Sequence, residues 1–436
     1  MKYLIALGLC LPGLALATPA PASIDLWQLQ QEAASADPRV LRAQAVVRSG
    51  EGREREALGQ MLPQISASGS INRSRRDDDL GRTEYNGKRA VVSLNQAIYD
   101  PQVWRSYQKF RQLTRQRDFE AEDTRIQASI DLAERYFAVL AAEDELALVR
   151  AELDATQTDN KRLKALLAHN MATTQDSQAM QARVDNLVAD EIEAANRVAV
   201  AREAISELVG RDVQEPLKRI ASNATYTLPA QSRDYWEQTA LRENPGIKAR
   251  ERSLDAAQAA ISEAKAGHLP KLGLSLTALR SDIGYEGTLT PRSENYVASL
   301  DMQVPLYSGG STSARVASSM GDRDAAEQEL EALRRQVKRE TATAFLTMNA
   351  ELQRIKATRV AVESTTAATR SAQEVYKRGI NTSTDVLYSI REEFRARRDL
   401  QQAQYRFITS LLTLHRWRGQ LTDSDIRRAN DWLVEP

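Results

Sequence analysis

The chain has 436 residues, with Lys plus Arg and Asp plus Glu at 59 each, three His and one Cys. That balance excludes a surface built to hold nucleic acid or an anionic membrane by bulk charge. Only 6% of the residues are aromatic and 27% are charged, with Ala, Gln, Glu, Arg and Leu abundant, a mixture that favours long helices over compact α/β domains.

Met1 and Lys2 precede an apolar run to Leu16, and Ala15-Leu16-Ala17 supplies an A-x-A cleavage site. Residues 1–17 therefore read as a secretory signal peptide and stand outside the fold argument. The only cysteine, Cys10, lies inside that segment behind Leu9 rather than a small residue, so no lipid anchor is expected. The mature chain then has no cysteine, hence no disulfide framework and no thiol catalyst. Without Lys2 it carries 59 − 1 = 58 basic against 59 acidic residues. No later apolar run reaches the roughly 18 residues that a transmembrane helix needs.

Residues 24–60 read as helix, followed by Leu62-Pro63. Beyond Pro63, Ile65, Ala67, Gly69 and Ile71 alternate with Ser66, Ser68 and Ser70. A polar stretch from Arg73 to Lys88 reads as a loop, and its Asp77-Asp78-Asp79 run among Arg73, Arg75, Arg76 and Arg82 as solvated and self-neutralising rather than as a calcium site. Ala90, Val92 and Leu94 then alternate with Val91, Ser93 and Asn95. These period-two segments of roughly 10 residues, apolar on one face and largely polar on the other, fit barrel-spanning strands. A lone pair of them would fit an ordinary half-buried hairpin equally well.

Asp100-Pro101 is an N-cap followed by proline at the first helical position. From there to about Leu167 almost nothing breaks a helix, a length of roughly 100 Å at 1.5 Å per residue. Ile126, Ile130, Ala133, Phe137 and Leu140 keep the three-to-four spacing of helix-on-helix packing. A helix of about half that length follows over 176–209.

The same order then recurs. Asp37-Pro38 and Leu62-Pro63 match Asn244-Pro245 and Leu269-Pro270, with a proline spacing of 25 in both (63 − 38 and 270 − 245). Tyr99 matches Tyr307 at an offset of 208 (307 − 99), and Gly210 matches Gly419 at 209 (419 − 210). Between these anchors lie helix over 232–267, a strand with Leu272, Leu274, Leu276 and Ala278, a polar loop from Ser281 to Asn295, and a strand with Tyr296, Ala298, Leu300, Met302 and Val304. A long helix over about 311–377 and a half-length one over 385–418 complete the unit. The chain is a tandem duplication: 18–210 is one repeat, 232–419 the other, with 211–231 a linker and 420–436 a C-terminal segment.

Four strands cannot close a barrel, since roughly eight is the smallest closure. An open edge in lipid would leave backbone groups unpaired at several kcal/mol each. Three chains sharing one barrel reach 12 strands and leave room for a water-filled lumen. Tyr99 and Tyr307 fall at strand ends, where a bilayer interface favours amphipathic rings. His169, His268 and His415 show no metal-ligand spacing, and Gly309-Gly310-Ser311 lacks the partners of a phosphate loop. No catalytic constellation or cofactor is expected.

The Asn/Asp-Pro plus Leu-Pro opening, Gln96-Ala97-Ile98-Tyr99-Asp100 at a strand-to-helix join, Gly379 to Asp385-Val386-Leu387 at a hairpin tip, and the ending Gly419-Gln420-Leu421-Thr422 with Asn430-Asp431-Trp432-Leu433 resemble the TolC-like outer-membrane efflux and secretion channels. The resemblance spans both repeats. It implies an α+β membrane protein: a homotrimer whose four transmembrane strands per chain form a shared 12-stranded barrel above a periplasmic tunnel of long α-helices. A mixed equatorial region would take in 211–231 and 420–436. It also implies a cell outer-membrane location among outer-membrane lipid, and docking to a periplasmic adaptor (membrane fusion) protein. An inner-membrane ABC or other energised transporter would complete the assembly.

By the same resemblance the tips, with Asn170, Met171, Gly379 and Ile380, would meet the adaptor, and Tyr376 with Asp176 would latch the tunnel shut. Asn381 stands where a basic latch residue often sits, and Tyr388 where a second acid would. Asp385 would form an acidic ring under threefold symmetry, although Thr173-x-x-Asp176 and Thr382-x-x-Asp385 also fit plain helix caps. The missing anchor cysteine and the Gly-x-Leu-Thr-x-x-Asp ending favour type I protein secretion over multidrug efflux. A soluble periplasmic coiled-coil scaffold is the reading from a different class.

Overall fold

The computed structural model describes residues 23–79, 81–169, 171–221, 224–283, 293–378, 380 and 382–435; the expected signal peptide lies outside them. In chain order the first half holds α1 (Leu26–Ala36), α2 (Pro38–Gly59), β1 (Gln64–Asp78), β2 (Gly81–Tyr99), α3 (Pro101–Ala168) and α4 (Thr174–Val209). A short strand β3 (Arg219–Ile220) leads to the second half: α5 (Arg233–Glu243), α6 (Pro245–Ala266), β4 (Lys271–Ile283), β5 (Ser293–Gln303), α7 (Ser311–Lys377) and α8 (Ser383–Arg418). Helix α9 (Asp423–Asn430) and strand β6 (Leu433–Val434) follow.

The helices expected over 24–60 and 232–267 are each two. Proline disfavours helical geometry in the residue before it, and Asp37 (φ −60°, ψ 116°) and Asn244 (φ −58°, ψ 123°) are both extended. Each closes one helix and caps the next: Asp37 Oδ1 accepts from the Arg39 N–H at 2.8 Å, and Asn244 Oδ1 from that of Ile247 at 3.2 Å.

The long helices are as expected. α3 has 68 residues and α7 has 67, so each runs about 100 Å. α3 packs against α2 and α6 over one stretch and against α4 and α8 over another, so the shorter helices share its length end to end. Asp100 caps α3 by accepting from the N–H groups of Gln102 (3.0 Å) and Val103 (3.3 Å). α7 instead starts at Gly310, at φ +81° in the left-handed region that glycine tolerates.

The strands form one antiparallel sheet in the order β1-β2-β4-β5. Residues opposite one another point to the same face, so the register tests the alternation read strand by strand. Ile65, Leu94, Leu276 and Ala298 lie in one row, and Ala67, Val92, Ala278 and Tyr296 in another two residues on. The rows between carry Ser66, Ser93, Thr277 and Val297, then Gln64, Asn95, Ser275 and Ser299. The sheet thus has one apolar and one mainly polar face, and among the described residues no strand lies beyond its outer strands β1 and β5.

The expected loop from Arg73 to Lys88 is instead ladder, paired from Arg73↔Asn86 to Asp78↔Gly81. Its charges pair on the hairpin itself: Arg73 to Glu84 at 2.7 Å, and Asp77 to Arg75 at 3.1 Å and Arg82 at 3.6 Å. The backbone there is regular antiparallel ladder rather than loop. In the second hairpin β4 extends to Ile283, and residues 284–292 lie outside the described set.

The main core sits at the middle of the long helices. Leu26 and Leu29 of α1, Ile130, Tyr136, Phe137 and Leu140 of α3, Ile205 of α4, Trp236 of α5 and Phe407 of α8 are all buried there. β3 pairs with β6 beside it, joining the linker to the C-terminus.

Candidate functional site

Each half ends, away from the sheet, in a helical hairpin with a tight tip. The N–H of Met171 returns to the Leu166 carbonyl at 2.9 Å, and that of Ile380 to Val375 at 3.3 Å. Both close a helix five residues back, in the manner of a Schellman turn. The two side chains project into solvent, Met171 at 67% and Ile380 at 73% exposure. Asn170, Gly379 and Asn381 lie outside the described residues.

Thr173 and Thr382 are the N-caps of α4 and α8, each bonded to the acid three residues on, and only the second pair, Thr382 with Asp385, forms a complete capping box. The Thr173 hydroxyl donates to the Asp176 carboxylate at 2.6 Å and accepts from the Asp176 N–H at 3.1 Å. At the second tip the Thr382 N–H donates to Asp385 at 3.0 Å, the Thr382 hydroxyl at 2.7 Å, and the Asp385 N–H returns at 3.3 Å. The hydroxyl and then the backbone bond hold the Asp385 carboxyl below the usual carboxylate range. Asp385 is exposed. Tyr388, one turn on, is exposed too.

Tyr376 makes its contact within the chain with the other hairpin. Among the described residues no hydrogen bond joins it to Asp176 within the chain. Its ring lies under the Arg162 guanidinium, 4.6 Å from carbon Cζ to centroid, a cation–π contact that ties α7 of one hairpin to α3 of the other. Arg162 escaped the sequence reading because it is 214 residues from Tyr376 (376 − 162) and belongs to no motif.

A second cluster connects the hairpins to the middle of the molecule. Asp144 is buried on α3, and the Tyr405 hydroxyl of α8 donates to its Oδ2. The Arg219 guanidinium bonds Asp144 Oδ1 at 2.5 Å and Glu143 Oε2 at 3.1 Å, while Arg202 of α4 reaches Glu143 Oε1 at 2.6 Å. Burial pushes the Asp144 carboxyl above its ordinary value, opposed by the Tyr405 and Arg219 bonds. A signal for it existed: Asp144 follows Leu140 by four residues on the apolar stripe of α3, where an acid must find partners. Nearby, Asp425 of α9 lies 3.4 Å from His415 Nδ1, and His415 packs edge-on to Trp236 at 5.3 Å.

At the sheet end, Tyr99 stands opposite Leu272 beyond a bulge at Ile98, which puts it in the row of the apolar face. Tyr307 lies past the end of β5 and is almost fully exposed. Both rings therefore sit where strand gives way to helix, at the edge of the apolar belt.

A two-faced four-stranded sheet with unpaired edges among the described residues, leading through Asp100 into one helix of about 100 Å and through 304–310 into a second, defines a subunit of a channel that spans a membrane and continues beyond it. A model of the family described as "Outer membrane efflux protein" matches residues 29–211 and 236–420, and the chain belongs to that family. It is 27% identical over 416 residues to outer membrane protein TolC of Vibrio cholerae, covering 94% of each chain. It is 25% identical over 425 residues to proteases secretion protein PrtF of Dickeya chrysanthemi, covering 94% of this chain and 90% of PrtF. The crystal structure of the Campylobacter jejuni CmeC outer membrane channel superposes with a TM-score of 0.81 at 14% identity, covering 99% and 98% of the two chains. The protein is an outer-membrane channel subunit, its strands contributing to a β-barrel and its long helices to a periplasmic tunnel.

Proposed function

We propose that this chain is the exit duct of a tripartite type I protein secretion system, a passive conduit with no catalytic role. The observation that carries the conduit is the sheet register: one apolar face for lipid, one polar face for a lumen, and two edges that only other chains can pair. The likeness to PrtF, a proteases secretion protein, over nearly the full length of both chains supports secretion as the task. An energised inner-membrane transporter supplies the work, and a periplasmic adaptor docks at the two hairpin tips. The exposed Met171 and Ile380, with Asn170 and Gly379 beside them in sequence, offer it apolar contact. A strain lacking the chain should retain a type I substrate protein inside the cell while keeping its drug tolerance. Normal secretion with lost drug tolerance would make it a multidrug efflux channel instead.

The gate lies at the same tips. Asp385 is a cation-selecting ring residue in addition to a helix cap, and Tyr376, Asp176, Asn381 and Tyr388 surround the closed mouth. With Asp176 and Tyr376 unbonded to each other within one chain, a latch between them acts between neighbouring chains, where partner docking can tip the tunnel between two arrangements. In planar bilayers, Tyr376→Phe with Asp176→Ala should raise single-channel conductance. Asp385→Ala should weaken cation preference and block by multivalent cations with little change in opening. A lower thermal midpoint with unchanged selectivity would leave Asp385 a cap alone.

A further inference from the structure

Where β2 enters α3, a groove of about 650 Å³ opens beside α6. Ile98, Tyr99, Trp104 and Leu269 wall it, and each of the four is between 43% and 54% exposed. Arg105 and Lys265 stand at its rim. Neither forms an ion pair among the described residues; Arg105 donates only to the Gln108 amide, at 3.0 Å. The one acid of the lining, Asp100, is already engaged by the α3 N–H groups and by Lys271 at 3.4 Å.

Three features make this more than an unpartnered apolar surface. The groove is continuous with the sheet's apolar face, because Tyr99 shares a row with Leu272. It lies at the helical end of the strands, hence at the periplasmic leaflet, where lipid head groups sit. Its two uncompensated cations are within one residue of Trp104 and within four of Leu269, so charge and apolar wall are side by side.

We propose that this groove binds an anionic glycerophospholipid of the periplasmic leaflet, its acyl chain against Trp104, Ile98 and Leu269 and its phosphate head group on Arg105 and Lys265. Bound there, the lipid fixes the height at which the barrel meets the tunnel. A trimer would carry three such sites. The proposal rests on the sheet lying in the bilayer and is independent of the cargo.

The sequence supplies a reporter. Of the five tryptophans, Trp27, Trp236, Trp417 and Trp432 belong to or pack against the buried core at the middle of the molecule. That core begins on α3 at Ile126, 22 residues (126 − 104) and about 33 Å from Trp104. Brominated acyl chains quench only indole in contact with lipid, so quenching isolates Trp104, and Trp104→Phe confirms the assignment by abolishing it.

The full chain is reconstituted in vesicles of dibrominated phosphatidylglycerol or dibrominated phosphatidylcholine diluted into unbrominated phosphatidylcholine. Trp104 should be quenched at a roughly tenfold lower mole fraction of the anionic lipid, given the attraction of two surface cations for anionic head groups. Arg105→Gln with Lys265→Gln should abolish that preference and keep quenching by both lipids. Equal quenching of the native chain by both, or a preference unchanged in the double variant, would overturn the head-group site. Absence of quenching in protein that co-sediments with vesicles would also overturn it, since the groove would then face lumen or a neighbouring chain. Failure to co-sediment would instead strike at the placement of the sheet in the membrane.

Discussion

Leu274→Arg should destabilise the folded channel by about 2–4 kcal/mol when the position lies near the bilayer midplane, whereas Ser275→Arg one residue away should cost far less. Leu274 is opposite Leu300 and Gln96, in the apolar rows, while Ser275 is opposite Asn95 and Ser299 in the polar ones. A guanidinium in hydrocarbon must snorkel or thin the bilayer, whereas one on the polar face meets water. Urea titrations of the two variants in lipid vesicles measure the difference. Equal tolerance at the two positions would show that the faces are reversed or that the sheet is not in lipid.

The second large effect concerns the Asp144 cluster. Arg219→Ala removes the one cation bonded to Asp144 among the described residues, and the Asp144 side chain is 8% exposed. Breaking a buried pair from one side leaves a charge without a partner and costs about 3–5 kcal/mol. With Arg219 itself 37% exposed, water screens part of that, and about 3 kcal/mol is expected. The direction with pH follows from the carboxyl, which burial already holds above its unfolded value. A raised acid binds its proton more tightly in the folded state, so the deficit of the variant should shrink as pH falls through that raised value. Adding Asp144→Asn should recover most of the loss at neutral pH. Thermal midpoints of the two variants against pH check both statements.

The contrast between these sites explains what could be read from the chain alone. The strands were legible because a barrel wall imposes a period of two on every residue that crosses it, and Ile65, Leu94, Leu276 and Ala298 obey it independently. The long helices were legible because α3 and α7 contain no proline after the first turn, and Asp100 with Pro101 marks the start of α3. The break at Asp37-Pro38 was visible as an anchor of the repeat, yet its meaning as a helix-to-helix join depends on the extended backbone of Asp37. The Arg73–Lys88 ladder was hidden because its charged residues follow no apolar alternation; cross-strand pairs such as Arg73 with Glu84 exist only once the register is known. The Tyr376–Arg162 contact and the Arg219–Asp144 bond join residues far apart in sequence; Asp144 is marked as an acid on the apolar stripe of α3, but nothing local points to Arg162 or Arg219 as the partner. Asp385 was legible as part of a helix cap through Thr382; the acidic ring proposed for it is a matter of symmetry that one chain's sequence does not carry.

That symmetry is the central claim, and the mass of the detergent-solubilised particle tests it most directly. Light scattering on protein extracted from outer membranes, with the detergent contribution subtracted and the β signal intact by circular dichroism, should give three chains per particle. A monodisperse single chain with the same β signal would contradict the account, because β1 and β5 would then be stable as unpaired edges.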